Sequence, residues 1–535
     1  MTPLSAERLA RDGGLWKNTT VALEAWKKAA SKPDEVAIYL EHGPDATYGS
    51  ITSTARRLIT ALQGLGLQAG DVVSFQLPNW IEAAALDIAS AALGLVVNPV
   101  IPIYRDAELR YILKDARSRV MFIPDRYRSI DYLGMLQELQ GELPDLDHLV
   151  TVRADTVPSG VLRFEDLVES GPVDVDSLPA VDPNSVKCRL YTSGTTGFPK
   201  AVLHSHNTLM HIQQCSIRHS GISADDVMVM PSPVTHITGY SSGLNMAFMS
   251  EAKSALMERW NADAAIDYIH RVGGTLTVGA TPFLQELLEA AERRGDGLPS
   301  MRQFSCGGAA VPPQLIRRAY EVLDNCIALR VYGSTEVPLV TYGWRDNPEL
   351  AATTDGQLYA YDVKILDENG EQVGVGEDGE IAARGAGMML GYADPEQNAE
   401  AHTDDGFFLT GDIGQLTPDG AILITDRKKD IIIRGGENLS AKEIEDVLHH
   451  HPAIREAAVV SMPHPRMGEG VCAYLILKEG AESLTLEQVA AFTDEQQLAR
   501  QKIPERVILV DDLPRTPSGK VRKDVLRKQL KAERK

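Results

Sequence analysis

Residues 191–200 read Tyr-Thr-Ser-Gly-Thr-Thr-Gly-Phe-Pro-Lys, YTSGTTGFPK. Hydroxyls stand at Thr192, Ser193, Thr195 and Thr196, glycines at Gly194 and Gly197, and Lys200 closes the stretch. CRLY before it is a strand candidate, and LHSHNTLMHIQQCS after it has the spacing of a helix. A loop of small residues between strand and helix is a place where backbone N–H groups and a helix N-terminus receive an anion. It is not a Walker A loop, because Pro199 stands where that motif needs glycine. Gly519-Lys520 fails the same test, being followed by Val521 and lacking the first glycine at Pro514. Both misses argue against a P-loop NTPase. On this stretch alone a phosphate cradle and a plain polar turn stay equally open.

The surroundings supply the fold class. Short β-rich runs at 72–77, 96–101 and 119–124 alternate with helical stretches such as 51–66, which predicts α/β layers on a substantially parallel sheet. The apolar run 81–97 carries Glu82 and Asp87, and reads as a buried helix leading into a strand rather than a membrane span. From about 355 to 425 short strands and Gly-rich turns predict antiparallel hairpins, a barrel-like β unit. After DRKKD, a charged stretch with no apolar anchor and so a linker, the texture turns to α+β. The expected domains are 1–427 (α/β to about 340, β-rich over 341–427) and a small mobile domain over 428–535.

Bulk properties narrow the function. The chain has 535 residues, 44% apolar and 24% charged, with a net charge of −21. Such an acidic surface argues against nucleic acid as a partner. One basic region stands out, residues 500–535, with twelve Lys or Arg against five Asp or Glu. Five scattered cysteines without a CxxC predict reduced thiols, no zinc site and a cytoplasmic location. No secretory pattern opens the sequence and no peroxisomal address closes it.

YTSGTTGFPK resembles the phosphate-binding signature of the adenylate-forming superfamily, and five further stretches resemble its motifs in order: YGSTE (332–336), TGD (410–412), DRKKD (426–430), GGEN (435–438) and PRTPSGK (514–520). The nearest resemblance in texture is to medium-chain and cyclohexanecarboxylate CoA ligases. It implies ATP, Mg²⁺ and CoA as cofactors and a small carboxylic acid as substrate, without naming the acid or the oligomeric state. The acid is joined to AMP, and a thiol then displaces AMP.

The resemblance also implies roles. Thr192 to Gly197 and Lys200 would hold the ATP phosphates, Glu336 a magnesium ion, and Thr335 the α-phosphate. Tyr332, Gly333, Gly308 and Ala309 would flank adenine, and Asp412 with Arg427 the ribose. Lys520 would bridge carboxylate and α-phosphate in the first step. Lys429 would be the hinge about which the small domain turns, bringing Gly435, Gly436 and Glu437 to line the thiol tunnel in the second. His236, Gly239, Gly307, Ser334 and Val337 would line the acyl pocket. No acidic residue follows His236 until Glu251, and VPLV follows Glu336, so an uncharged acyl tail is expected. A ligase loading a carrier protein's phosphopantetheine would use the same residues and remains the alternative. One stretch departs from the family's apolar pattern: Lys187-Cys188-Arg189-Leu190. Alternation puts Lys187 and Arg189 on one face, either a polar face near the site lined by Arg189 or, the preferred reading, the open side of an edge strand.

Overall fold

The computed structural model describes residues 14–192, 199–516 and 519–532. Two large sheets share one core. The first has eight strands, in the order Gly391–Tyr392, Lys200–Ser205, Val186–Thr192, Val96–Pro99, Val72–Phe75, Ser118–Pro124, His148–Val152 and Val161–Arg163. It is parallel except at its first two pairings. The second has nine strands, and Ile327–Tyr332, Gln303–Gly307, Leu276–Gly279, Val227–Met230, Lys253–Leu256 and Val36–Leu40 run parallel through its centre. Apolar side chains from both sheets meet those of helices Tyr48–Gly64 and Ile81–Leu93 in one cluster, Val73, Val97 and Cys188 from one sheet and Ile38 and Met228 from the other. Helix Ile81–Leu93 is Ala-rich because it is buried nearly all round; Gly94, at φ 67°, ends it and Val96–Pro99 follows, as expected.

The β-rich unit is a four-stranded antiparallel sheet of Tyr361–Leu366, Gly379–Gly385, Phe408–Leu416 and Ile422–Arg427, tied to the nine-stranded sheet by a bridge from Ala421 to Gln357. Beyond it lies a five-stranded sheet built on Ile454–His464 and Gly468–Leu477, with helices Ala441–Leu448, Leu486–Glu495 and Lys523–Ala532. Its alternating apolar residues feed two clusters, one around Val459 and Leu475 and one around Val460 and Tyr474.

Three expectations are corrected. The loop that follows Tyr191 does not run from strand to helix. Its ends pair antiparallel, Thr192 opposite Lys200, and helix His206–Ser220 starts only after a further strand, so no helix N-terminus adjoins Lys200. Second, Val186–Thr192 is an interior strand, and it does not alternate cleanly. A bulge between Val186 and Cys188 leaves Lys187 without a partner in the register, which frees its side chain from the strict pleat. Lys187 Nζ reaches Asp87 Oδ1 of helix Ile81–Leu93 at 2.6 Å, while Arg189 pairs with Asp115 of helix Asp106–Ala116. Both members of the first pair are about 98% buried or more. Deleting either alone would strand a charge, at a cost of about 3–5 kcal/mol. Third, DRKKD is an anchored linker, with Lys428 and Lys429 exposed between buried ends. Asp426 and Asp430 are buried, and Asp430 holds Arg527 of the last helix at 2.8 Å.

Candidate active site

Gly307 to Ala309 and Tyr332 to Val337 stand at the carboxyl ends of Gln303–Gly307 and Ile327–Tyr332, adjacent parallel strands whose ends are where such sheets form ligand crevices. Glycine is required at Gly307, since a Cβ there would lie 2.2 Å from the Val331 carbonyl oxygen. The turn after Tyr332 is as tight: a Cβ on Gly333 would come within 2.3 Å of the Leu339 nitrogen. Ser334 closes that turn through its Oγ and amide onto Val337, which is fully buried. The Thr335 carbonyl is held by His204 at 2.7 Å.

Glu336 is the first focus. Its Oε1 accepts from Tyr392 Oη at 3.1 Å and from Thr192 Oγ1 at 3.4 Å. Lys200 Nζ lies 4.9 Å above the Tyr392 ring. One end of the opening loop thus reaches Glu336 directly and the other reaches the tyrosine bound to it; Ser193, Gly194, Thr195, Thr196 and Gly197 lie outside the described residues. Tyr392 was not visible as a site residue. It arrives because Gly391–Tyr392 pairs with Lys200–Ser205, nearly two hundred residues away in the chain.

Asp412 is the second. Tyr332 Oη donates to its Oδ2 at 2.9 Å and Arg427 Nε to its Oδ1 at 2.5 Å. Tyr332 is buried in the cluster with Val202, Val337 and Tyr392, so its ring is core as well as site. Each carboxylate oxygen keeps a lone pair for another donor, and Gly411, at φ 72°, lies at a register irregularity inside strand Phe408–Leu416 next to it.

Lys520 is the third, and it comes from the far end of the chain. Its turn packs on the large domain: a Cβ on Gly519 would meet Pro282 Cγ at 3.3 Å and Ala280 Cβ at 3.6 Å. Thr516 secures the turn, its amide donating to the Lys520 carbonyl at 2.7 Å and its Oγ1 accepting from the Lys520 amide at 3.1 Å. Loss of water lowers the Lys520 ammonium to about 7, with Arg427 pressing the same way and Asp412 opposing. His236 feels the same ammonium: burial first, then Lys520, lowers its ring to about 4, so it is neutral at physiological pH. His236 caps the segment that leads into the helical turn Gly239–Asn245, and a Cβ at Gly239 would overlap the Pro233 carbonyl at 2.1 Å. Of the remaining expected residues, Gly435, Gly436 and Glu437 form an exposed turn of the small domain, apart from this crevice. Lys429 is exposed beside the anchored Asp430.

One carboxylate does reach the acyl segment, contrary to the sequence expectation. Asp87, far upstream, accepts from Tyr240 Oη at 2.5 Å. Lys187 balances its charge, so no cationic substrate group is needed there.

Residues 25–393 match the family model of the AMP-binding enzymes, and residues 443–520 that of the AMP-binding enzyme C-terminal domain. The chain belongs to the AMP-binding enzyme family. It is 34% identical over 524 residues to the medium-chain fatty-acid–CoA ligase of Escherichia coli (strain K12), covering 97% of this chain and 92% of that one. It is 32% identical to the 2,3-dihydroxybenzoate-AMP ligase of Bacillus subtilis (strain 168), covering 97% and 95%. Among solved structures, ATP-bound MatB from Rhodopseudomonas palustris superposes with a TM-score of 0.86 at 28% identity, covering 97% of this chain and all of that one. In this AMP-binding enzyme Glu336 falls in the first matched region and Lys520 at the end of the second, while Asp412 lies in the stretch between them.

Proposed function

We propose that this AMP-binding enzyme is an AMP-forming carboxylate–CoA ligase. It uses ATP to convert a carboxylic acid to an acyl-adenylate with release of pyrophosphate, then transfers the acyl group to CoA with release of AMP. The observation that carries the reading is the packing of the Gly519-Lys520 turn, from the small domain, on Pro282 and Ala280 of the large one, which buries the Lys520 ammonium within the fields of Arg427 and Asp412. A cation at that place stabilises charge as carboxylate and α-phosphate approach each other.

The chain's own groups divide the work. Thr192 and Lys200 flank the phosphates, and Thr335 faces the α-phosphate. Asp412, aimed by Tyr332 and Arg427, accepts ribose hydroxyls, while Gly308, Ala309 and Gly333 leave room for adenine. His236, Gly239, Gly307, Ser334 and Val337 border the acyl group. Among the described residues no group of three or more His, Cys, Asp or Glu could hold a metal ion. Glu336 alone fits a magnesium ion shared with substrate phosphates, which needs only one or two protein carboxylates. Such an ion neutralises phosphate charge when bound. The thiol step needs Gly435, Gly436 and Glu437 at the crevice instead of Lys520. Here they form an exposed turn, and it is the Gly519-Lys520 turn that packs on the large domain, which supports a rotation of the small domain about Lys429 between the two steps.

Relatives named as acid–CoA ligases support CoA as the acceptor, as does the basic end of the chain. An acyl carrier protein is the second reading, favoured only by relatives named as AMP ligases. Mixing the protein with ATP, Mg²⁺ and a panel of medium-chain, alicyclic and aromatic acids decides between them. AMP release that requires CoA confirms the proposal; release only with a phosphopantetheinylated carrier protein refutes it.

A further inference from the structure

We infer that the acid carries a neutral oxygen function, a hydroxyl or ketone, at the end remote from its carboxyl group, and that a polar cavity beside the turn Gly239–Asn245 receives it. This rests on the ligase reading and narrows its substrate. The cavity, of about 30 Å³, is lined by Lys187, His206, Gln213, Tyr240, Ser241 and Asn245, with four apolar side chains. That volume admits the end of an acyl chain and no more, since a water-sized group needs roughly 10–15 Å³. All six polar residues are under a tenth exposed. The turn bearing three of them begins three residues after His236, and the Tyr240 amide donates to the His236 carbonyl at 2.8 Å. Tyr240, Ser241 and Asn245 lie four, five and nine residues beyond His236 on this one segment. A medium-length or ring-bearing acid whose carboxyl lies at the crevice would direct its far end towards them.

The lining is built for a neutral group with both hydrogen-bonding senses. Lys187 has three N–H donors; Asp87 takes two, at its Oδ1 (2.6 Å) and its carbonyl (3.3 Å). Gln213 gives its amide nitrogen to the Ser241 carbonyl at 2.5 Å, which fixes its orientation and leaves Oε1 buried with no hydrogen-bond partner among the described residues. No hydrogen bond from a described residue reaches the His206 ring, and burial, reinforced by Lys187, pushes its pKa well down. One donor from Lys187, a neutral imidazole and one acceptor on Gln213 thus converge, while the lysine charge is already matched. An alkyl terminus would leave these groups unpaired, and a carboxylate would bring an unbalanced charge.

The test compares matched acids in ATP- and CoA-dependent AMP release: octanoic against 8-hydroxyoctanoic and 7-oxooctanoic acid, and cyclohexanecarboxylic against its 4-hydroxy and 4-oxo derivatives. The oxygenated member of at least one set is expected to win by ten-fold or more in kcat/KM. Gln213→Leu, and separately the double change Lys187→Met with Asp87→Leu, which keeps the site neutral, should bring that ratio towards one. Plain acids preferred in both sets, or a ratio unmoved in both variants, overturns the inference and leaves the ligase reading standing. AMP release with none of the acids overturns both.

Discussion

Lys520 and Tyr392 act through different physics, and their substitutions should separate. Lys520→Ala removes the cation at the site of charge build-up, so ATP–pyrophosphate exchange is expected to fall by about 10²–10³-fold. Conversion of supplied acyl-adenylate to thioester should persist; equal loss of both would refute the assignment. Tyr392→Phe removes one hydrogen bond to a carboxylate, worth about 1.5–3 kcal/mol. Exchange should drop about ten- to a hundred-fold and need more Mg²⁺, measured as a raised half-saturating concentration; an unchanged Mg²⁺ requirement would count against Glu336 as the metal's anchor. Glu336, Asp412 and Lys520 were legible in the sequence because each sits in a short motif. Tyr392 and Asp87 were not, because only sheet pairing and helix packing bring them in, from 56 residues away for Tyr392 and Glu336 and 153 for Asp87 and Tyr240.

At the level of elements, the sequence predicted strands and helices well where a continuous apolar run had a clear stop, as in Ile81–Leu93, ended by Gly94, and Val96–Pro99 after it. It failed where a local irregularity broke the period. The bulge at Lys187 cannot be read from alternation, and the strand Lys200–Ser205 went unread because it runs directly into helix His206–Ser220 with no turn residue between them. DRKKD misled in the opposite direction: its charges looked solvated, yet Asp430 is locked to Arg527. That anchor makes the rotation about Lys429 testable. Lys429 donates no backbone hydrogen bond among the described residues, so proline there fixes φ without deleting one. Lys429→Pro should leave pyrophosphate exchange within about three-fold of wild type, well under the ten-fold that ~1.4 kcal/mol would bring. Thioester formation should be crippled. Normal overall turnover in that variant would rule out the hinge.

For the whole molecule, the two domains are coupled through one proton. Lys520 titrates near 7 where it is packed against the large domain, well under its ordinary 10.5. A small domain swung away, or unfolded, binds that proton more tightly across pH 7 to 10.5. The packed arrangement of the free enzyme therefore gains stability as pH rises through that window and loses it as pH falls towards 7. Distance measurements between labels on the two domains should show closer packing at pH 9 than at pH 7, a difference absent in Lys520→Ala. Adenylation itself needs the charged form, so kcat/KM for exchange should decline above about pH 7.

The Lys187–Asp87 pair has a consequence of another kind. Its members stand 100 residues apart in the chain, yet neither is tolerable without the other. A lineage can gain or lose the pair only by passing through a protein with a stranded charge, or by changing both positions together. The polarity of the cavity they border is in that sense inherited as a single two-position character, and a descendant with a new taste in acids would have to retune the shell around the pair before it could abandon the pair itself.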